Sequence, residues 1–428
     1  MAALRRFLSI AAISAACTLA SCVYPFDPGL ESVDSRIVVE GSISVGGTSE
    51  FKFTRVIPMG GDAKKAEKIE MTGYIEGEDG VQIPSYKGWW DNGSGILSDG
   101  LYQYDSYGGS TSPACYHLYF DTALANPSQR YRVHFEDREN GAVYESDWLD
   151  VCEAPVIDEL SYILNRDRFE LNVALSMHSE TDSHFRWYYD ETWEYHADLD
   201  ASHYLVPEYL FNSSTGEYQP ERAIFKFSGG QNNYYCWDTF HSPEIKIFST
   251  SEQTDNRFVD LEFHRVSSAN RKLQLMYKLT VYLEAISENA FQYWKNIEDN
   301  TGGQGTFFSP VPSQMRGNVH CLSDPEAEVI GYVSAARQAT ASMYYDDRTE
   351  KFYNGSGTDW HSINIEEFTD INAFASWYSR GYLPYTVIPA EMSETGQTTY
   401  QWAKAECVDC RRLGGTKQKP AGWPTNDR

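Results

Sequence analysis

Leu273-Gln274-Leu275-Met276-Tyr277-Lys278-Leu279-Thr280-Val281-Tyr282-Leu283-Glu284 is the stretch that decides the fold class. Leu273, Leu275, Tyr277, Leu279, Val281 and Leu283 recur at every second position, and Lys272, Gln274, Lys278, Thr280 and Glu284 occupy alternate positions that face the other way. Successive side chains of a strand point to opposite faces, so this period predicts a long strand with one buried and one polar face.

The same period extends to either side. Phe169, Leu171, Val173 and Leu175 alternate, and Phe185-Arg186-Trp187-Tyr188-Tyr189 with its neighbour Thr192-Trp193-Glu194-Tyr195 predicts a pair of aromatic strands. Nearer the N-terminus, a β-branched run from Ile37 to Val45 is interrupted at Gly41, and Phe51, Phe53 and Val56 roughly alternate. Ile69, Met71 and Ile75 precede a turn at Glu78-Asp79-Gly80, while Tyr131, Val133 and Phe135 run into Asn140-Gly141 and the returning Val143-Tyr144-Glu145, a hairpin. Two helices interrupt the pattern. Ser287 offers an N-cap and Glu288 a first-turn acid ahead of Phe291, Trp294 and Ile297, which predicts a helix near 287–300. Phe374, Trp377 and Tyr378 before Gly381 predict another near 370–380. The chain therefore reads as mainly β, with two Ig-like β-sandwich domains and a few short helices in the C-terminal half. Pro155 marks the join between residues 35–152 and a larger β-rich part, residues 153–428.

The first residues have a different character. Arg5 and Arg6 precede an apolar run from Phe7 to Leu19 and then Leu19-Ala20-Ser21-Cys22, the pattern of a cleaved lipoprotein signal over residues 1–21. The run is shorter than the ~20 residues a membrane span requires. Cys22 is the expected lipid attachment point. Several acyl chains, palmitate among them, would hold the protein where a single chain binds only marginally. Residues 22–34, with two prolines and a glycine, read as the anchor and its tether.

About 400 residues remain, enough for two or more cores. Removing Arg5 and Arg6 from 35 basic residues leaves 33 against 61 acidic ones, a net charge of −28, which repels nucleic acid phosphates. Nucleic acid is excluded as a partner. Cys115, Cys152, Cys236, Cys321, Cys407 and Cys410 form an even set in an exported chain, so they are candidates for disulfides whose pairing the sequence does not rank. Structural bridging is the expected role of Cys407-Val408-Asp409-Cys410 too, since the pair lacks the strand-to-helix setting of a redox motif.

Several stretches together resemble one family. They are Val38-Val39-Glu40-Gly41 after the lipobox, Tyr131-Arg132-Val133, Tyr144-Glu145-Ser146, Cys236-Trp237, and Tyr293-Trp294 followed by Gly305-Thr306-Phe307-Phe308-Ser309-Pro310. Gly317-Asn318, Val329-Ile330-Gly331-Tyr332 and the ending Cys407-Val408-Asp409-Cys410-Arg411 with Gly414-Gly415-Thr416 complete the likeness. The resemblance is to a Bacteroidetes outer-membrane lipoprotein family, domain-of-unknown-function family 4249, whose members are typically encoded beside TonB-dependent receptors. It implies a lipid-anchored protein of the outer membrane, facing either side, whose partner is such a receptor in nutrient uptake.

No G-x-S-x-G elbow, Walker loop, H-E-x-x-H or EF-hand loop occurs, so neither catalytic residues, nor metal ligands, nor a cofactor are expected. The feature most open to binding is the loop expected from Tyr86 to Ser112. There Trp89, Trp90, Tyr102, Tyr104 and Tyr107 stand among glycines, serines and carboxylates, a composition suited to stacking on a peptide or glycan. The expectation is a non-catalytic accessory or cargo-binding lipoprotein. A surface hydrolase and an adhesin or envelope scaffold are the alternatives.

Overall fold

The computed structural model describes residues 36–56, 69–91, 115–210, 219–228, 232–242, 246–301, 317–355 and 363–424. The chain is mainly β and organised as several sheets. Among the described residues, no helix is long and apolar enough to cross a membrane.

The first sheet runs, in spatial order, Val319–Cys321, Val143–Ser146, Tyr131–Asp137, Met71–Gly77, Gln82–Asp91, Cys115–Asp121, Thr48–Arg55, Ile37–Ser44, Val333–Ala336 and Val151–Cys152, with Val329–Ile330 also beside Ile37–Ser44. A bulge between Ser85 and Lys87 lets one strand pair with Met71–Gly77 on one side and with Cys115–Asp121 on the other. Bulges bend the strand that carries them. The sheet thereby folds over itself, and Phe51 and Phe53 meet Phe135 edge-to-face at centroid distances of 5.2 and 4.8 Å. All three rings are fully buried, so apolar burial drives the closure.

The strands between Ile37 and Cys152 all belong to this sheet, and the chain later returns to it. Residues 317–336, assigned by the sequence to the second part, complete the first sheet as Val319–Cys321, Val329–Ile330 and Val333–Ala336. Two residues explain why the return is tight. Gly331 has a φ of +132°, and a Cβ there would lie 1.9 Å from the Val39 carbonyl oxygen, so only glycine fits. Asn318 is buried, and its side chain both accepts from Val333 N and donates to Val333 O at 2.8 Å, imitating a strand partner.

The second body is a sandwich. Arg257–Ser267, Glu170–His178 and Val156–Asn165 form one layer. Tyr235–His241, His184–His196, Met276–Ala285 and Gln338–Asp346 form the other, with Lys246–Ser249 beside His184–His196. Leu171, Val173 and Leu175 pack with Leu279, Val281 and Leu283 in a shared core, as their period requires. Three details depart from the sequence reading. The long strand starts at Met276, because Asn270 caps a 3-10 turn at Arg271–Leu273, from which Leu273 still reaches the core. The two aromatic strands are one, His184–His196, since no turn residue separates them. Phe169 is exposed at a φ of 56°, in the turn before its strand.

Inside this core, Glu191 accepts from Lys272 Nζ at 2.5 Å and from the Tyr277 hydroxyl at 2.8 Å, with His264 Nε2 at 3.0 Å. Burial pushes its carboxyl up, yet His264 and Lys272 outweigh burial and hold it below the usual carboxylate range. A buried carboxylate is tolerated here because its oxygens are satisfied.

The helix Glu288–Thr301 begins where expected, with Ser287 Oγ accepting from Ala290 N at 3.2 Å. It buries Phe291 and Tyr293, whereas Trp294 and Ile297 are only partly covered. Near the C-terminus, Glu366–Phe368, Thr399–Lys404 and Tyr382–Ile388 form a small sheet. Phe374, on the short helix Phe374–Ser379, packs against Trp402 there, and both are fully buried.

Candidate functional site

On the outward face of the first sheet the strand period places Cys115, His117 and Tyr119 side by side, flanked by Trp89 on one neighbour and Glu50 on the other. Trp89 stacks on His117 at 4.7 Å and donates its indole N–H to the Tyr119 hydroxyl at 3.2 Å. That hydroxyl donates to Glu50 Oε1 at 2.7 Å, and His117 Nδ1 lies 2.7 Å from the same oxygen. Burial pushes the Glu50 carboxyl up, but hydrogen bonds from His117 and Tyr119 outweigh this and leave it below its ordinary value. Burial and then Glu50 push the Tyr119 phenol well above its ordinary value, so it stays a donor. Cys115 Sγ is 3.2 Å from His117 Nε2, completing a thiol, imidazole and carboxylate in line.

The second body meets this face. Ser42, paired with Glu50 on the adjacent strand, donates to Glu284 Oε2 at 3.4 Å across the junction. Beside Glu284, Tyr188 and Tyr282 stack at 4.8 Å, and the Tyr282 hydroxyl donates to Asp190 Oδ2 at 3.1 Å. His241 Nδ1 lies 2.8 Å from Asp190 Oδ1, and that bond raises its pKa against burial, with Glu50 adding to the rise from the other side of the junction. Tyrosines, a tryptophan, imidazoles and carboxylates thus border one seam. Such groups stack on flat ligand surfaces and fix orientation by hydrogen bonds.

Residues 23–342 match the family described as Domain of unknown function (DUF4249). The chain belongs to the DUF4249 family. The match ends within Gln338–Asp346, short of the Cys407–Cys410 ending that the sequence likeness included. No curated protein matches the chain. In this DUF4249 chain the landmark residues Gly317-Asn318 and Val329-Ile330-Gly331 are the ones that return it to the first sheet.

Of the residues singled out from sequence, Trp89 lies in the seam, on the strand Gln82–Asp91 rather than in the expected loop, because its backbone pairs with Cys115–Asp121. Trp90 belongs to the same strand, while its side chain, together with Tyr102, Tyr104, Tyr107 and Cys22, lies outside the described residues. One bridge joins Cys236 to Cys410. Among the described residues Cys152, Cys321 and Cys407 keep unbridged thiols, so the candidate set supplies one bridge there. The reason is local: the Ala405–Val408 helix sends Cys407 into a cluster with Ala201 and Ala403, while the next turn aims Cys410 at Cys236. Burial pushes the Cys152 and Cys407 thiols up to about 12, so neither is a nucleophile at neutral pH. Glu50, His117, Tyr119 and His241 were missed by the sequence reading. His117 and Tyr119 share the period-two spacing of Cys115, whereas Glu50 and His241 join them only through strand pairing and packing.

Proposed function

We propose that this chain is a non-catalytic lipoprotein, anchored in the outer membrane through Cys22, that holds nutrient cargo for, or grips, a TonB-dependent receptor. The observation carrying this reading is the seam around Trp89, where a half-buried indole is locked by His117 and Tyr119 rather than left to pack down a loop. A locked aromatic ring loses little entropy on binding, so it suits a recognition surface. Peptide and glycan are the cargo classes such rings take. Tethering raises the local concentration of cargo at the channel without any bond being broken.

Affinity purification from detergent-solubilised outer membranes should recover a receptor with the wild-type chain and several-fold less with Trp89→Ala. The Cys22→Ala chain should be absent from the membrane fraction. Equal receptor recovery with Trp89→Ala would remove the seam from the reading.

A surface hydrolase is the second reading, and one observation favours it: Cys115, His117 and Glu50 stand at the distances of a nucleophile, its base and an orienting acid. Attack of the thiolate on an ester carbonyl would expel the alcohol, protonated by the imidazolium, and water would then cleave the thioester. Turnover of p-nitrophenyl acetate by the full chain, lost in Cys115→Ser, would establish that reading; turnover unchanged in the variant would end it.

A further inference from the structure

We propose that a cavity at the C-terminal end of the fold, distant in sequence from the Trp89 strand and independent of the reading above, binds a small organic anion: a carboxylate carried on a compact apolar body. The cavity lies where the His203–Leu205 ribbon and the Tyr382–Ile388 strand meet the 3-10 turn Cys410–Leu413. Its volume is about 240 Å³. That is the share of about eight waters and lies below the ~300–1,000 Å³ of pockets for drug-sized molecules, so the ligand is small.

Its walls are mixed, and the apolar part is formed by Leu205, Phe227 and Leu383 together with Tyr204, whose ring packs on Phe227 at 4.9 Å. The sign of the ligand follows from charge accounting. The charged residues lining the cavity are Asp409, Arg411 and Arg412. Asp409 is buried and answered in full. It accepts from Arg411 Nε at 2.9 Å and Nη2 at 2.7 Å, from Arg411 N at 3.1 Å and from Asn233 Nδ2 at 3.1 Å. The bidentate pair cancels, which leaves the Arg412 guanidinium as the cavity's net charge. Arg412 is exposed, and among the described residues no carboxylate pairs with it. His203 adds no charge, since burial and then Lys226 lower its pKa, while Ser202 Oγ sits 2.9 Å from its Nδ1.

The segment that carries these residues points the same way. The chain carries a net charge of −26, yet between Lys404 and Lys419 five basic residues (Lys404, Arg411, Arg412, Lys417, Lys419) face two acidic ones, Glu406 and Asp409. A cationic island on an acidic protein concentrates anions locally. The planar guanidinium fork of Arg412 matches a carboxylate, and the rings and leucines match an apolar remainder.

The test is calorimetric titration of the full chain in detergent with benzoate and with N-acetylphenylalanine, each beside its neutral amide. Both acids carry the same chemistry. Tighter binding of benzoate would mark a free organic acid as the natural source, and tighter binding of N-acetylphenylalanine the C-terminus of a peptide. At least one acid should saturate the protein in the millimolar range or below, its amide should not, and Arg412→Gln should weaken it about tenfold or more while thermal unfolding stays unchanged. Saturation by amides as well as acids, unaltered binding in Arg412→Gln, or no saturation by either acid would each overturn the assignment.

Discussion

Replacing Glu284 with alanine should destabilise the chain by ~3–5 kcal/mol, because it strands a buried guanidinium. Arg186 and Glu284 are 5% and 2% exposed, and Arg186 donates twice to Glu284 Oε2, from Nε at 2.8 Å and Nη2 at 2.6 Å. Gln338 donates to the other oxygen at 3.0 Å, and Ser42 of the first sheet reaches the same carboxylate. The pair sits on adjacent strands in register, Arg186 opposite Glu284, so the geometry is set by the ladder itself. Removal of one partner leaves a charge without solvent or counter-ion. The paired replacement Arg186→Met with Glu284→Leu should cost far less, since neither charge is then left alone. Urea unfolding followed by tryptophan fluorescence would read both midpoints. A Glu284→Ala chain as stable as the double variant would show that water reaches Arg186 and that the junction is looser than its burial implies.

The difference between what periodicity reveals and what it hides is visible at this same junction. Leu279, Val281 and Leu283 announce a half-buried strand, and their alternation was enough to fix which side faces the core. Nothing in that alternation says what the other face meets. Lys278, Thr280 and Glu284 look like solvated residues, yet Glu284 is sealed against the first sheet. Burial of a charge depends on partners far away in the chain, and Ser42 is 242 residues from Glu284. The return of residues 317–336 was hidden for a related reason. Val319–Cys321 and Val329–Ile330 are too short to carry a period, and they belong to the first sheet only through pairing. The seam shows the intermediate case. Trp89 stood out by composition, whereas Glu50 and His117 gained meaning only when register set them on neighbouring strands.

Removing the Cys236–Cys410 bridge should lower stability by ~2–4 kcal/mol and loosen one part of the molecule before the rest. The two cysteines are 174 residues apart, a loop long enough for chain entropy alone to approach ~5 kcal/mol, the upper end of what native bridges contribute. The tail it holds has other contacts: the Tyr195 hydroxyl donates to Cys410 O at 2.9 Å, Trp237 and Thr416 exchange backbone hydrogen bonds, and Lys417 Nζ donates to Asn232 O and Tyr235 O at 2.8 Å. These bonds are individually modest, so without the covalent link local opening becomes cheaper than global unfolding. Trypsin reads that directly, because Arg411, Arg412 and Lys417 all lie in the tail. In the Cys236→Ser, Cys410→Ser chain these sites should be cut well before any in the first sheet, while Cys407→Ser, which removes a thiol that bridges nothing, should leave the bridged pattern of cleavage. If cleavage in the tail runs at one rate with and without the bridge, the hydrogen bonds hold the segment by themselves and the bridge acts only on the unfolded chain.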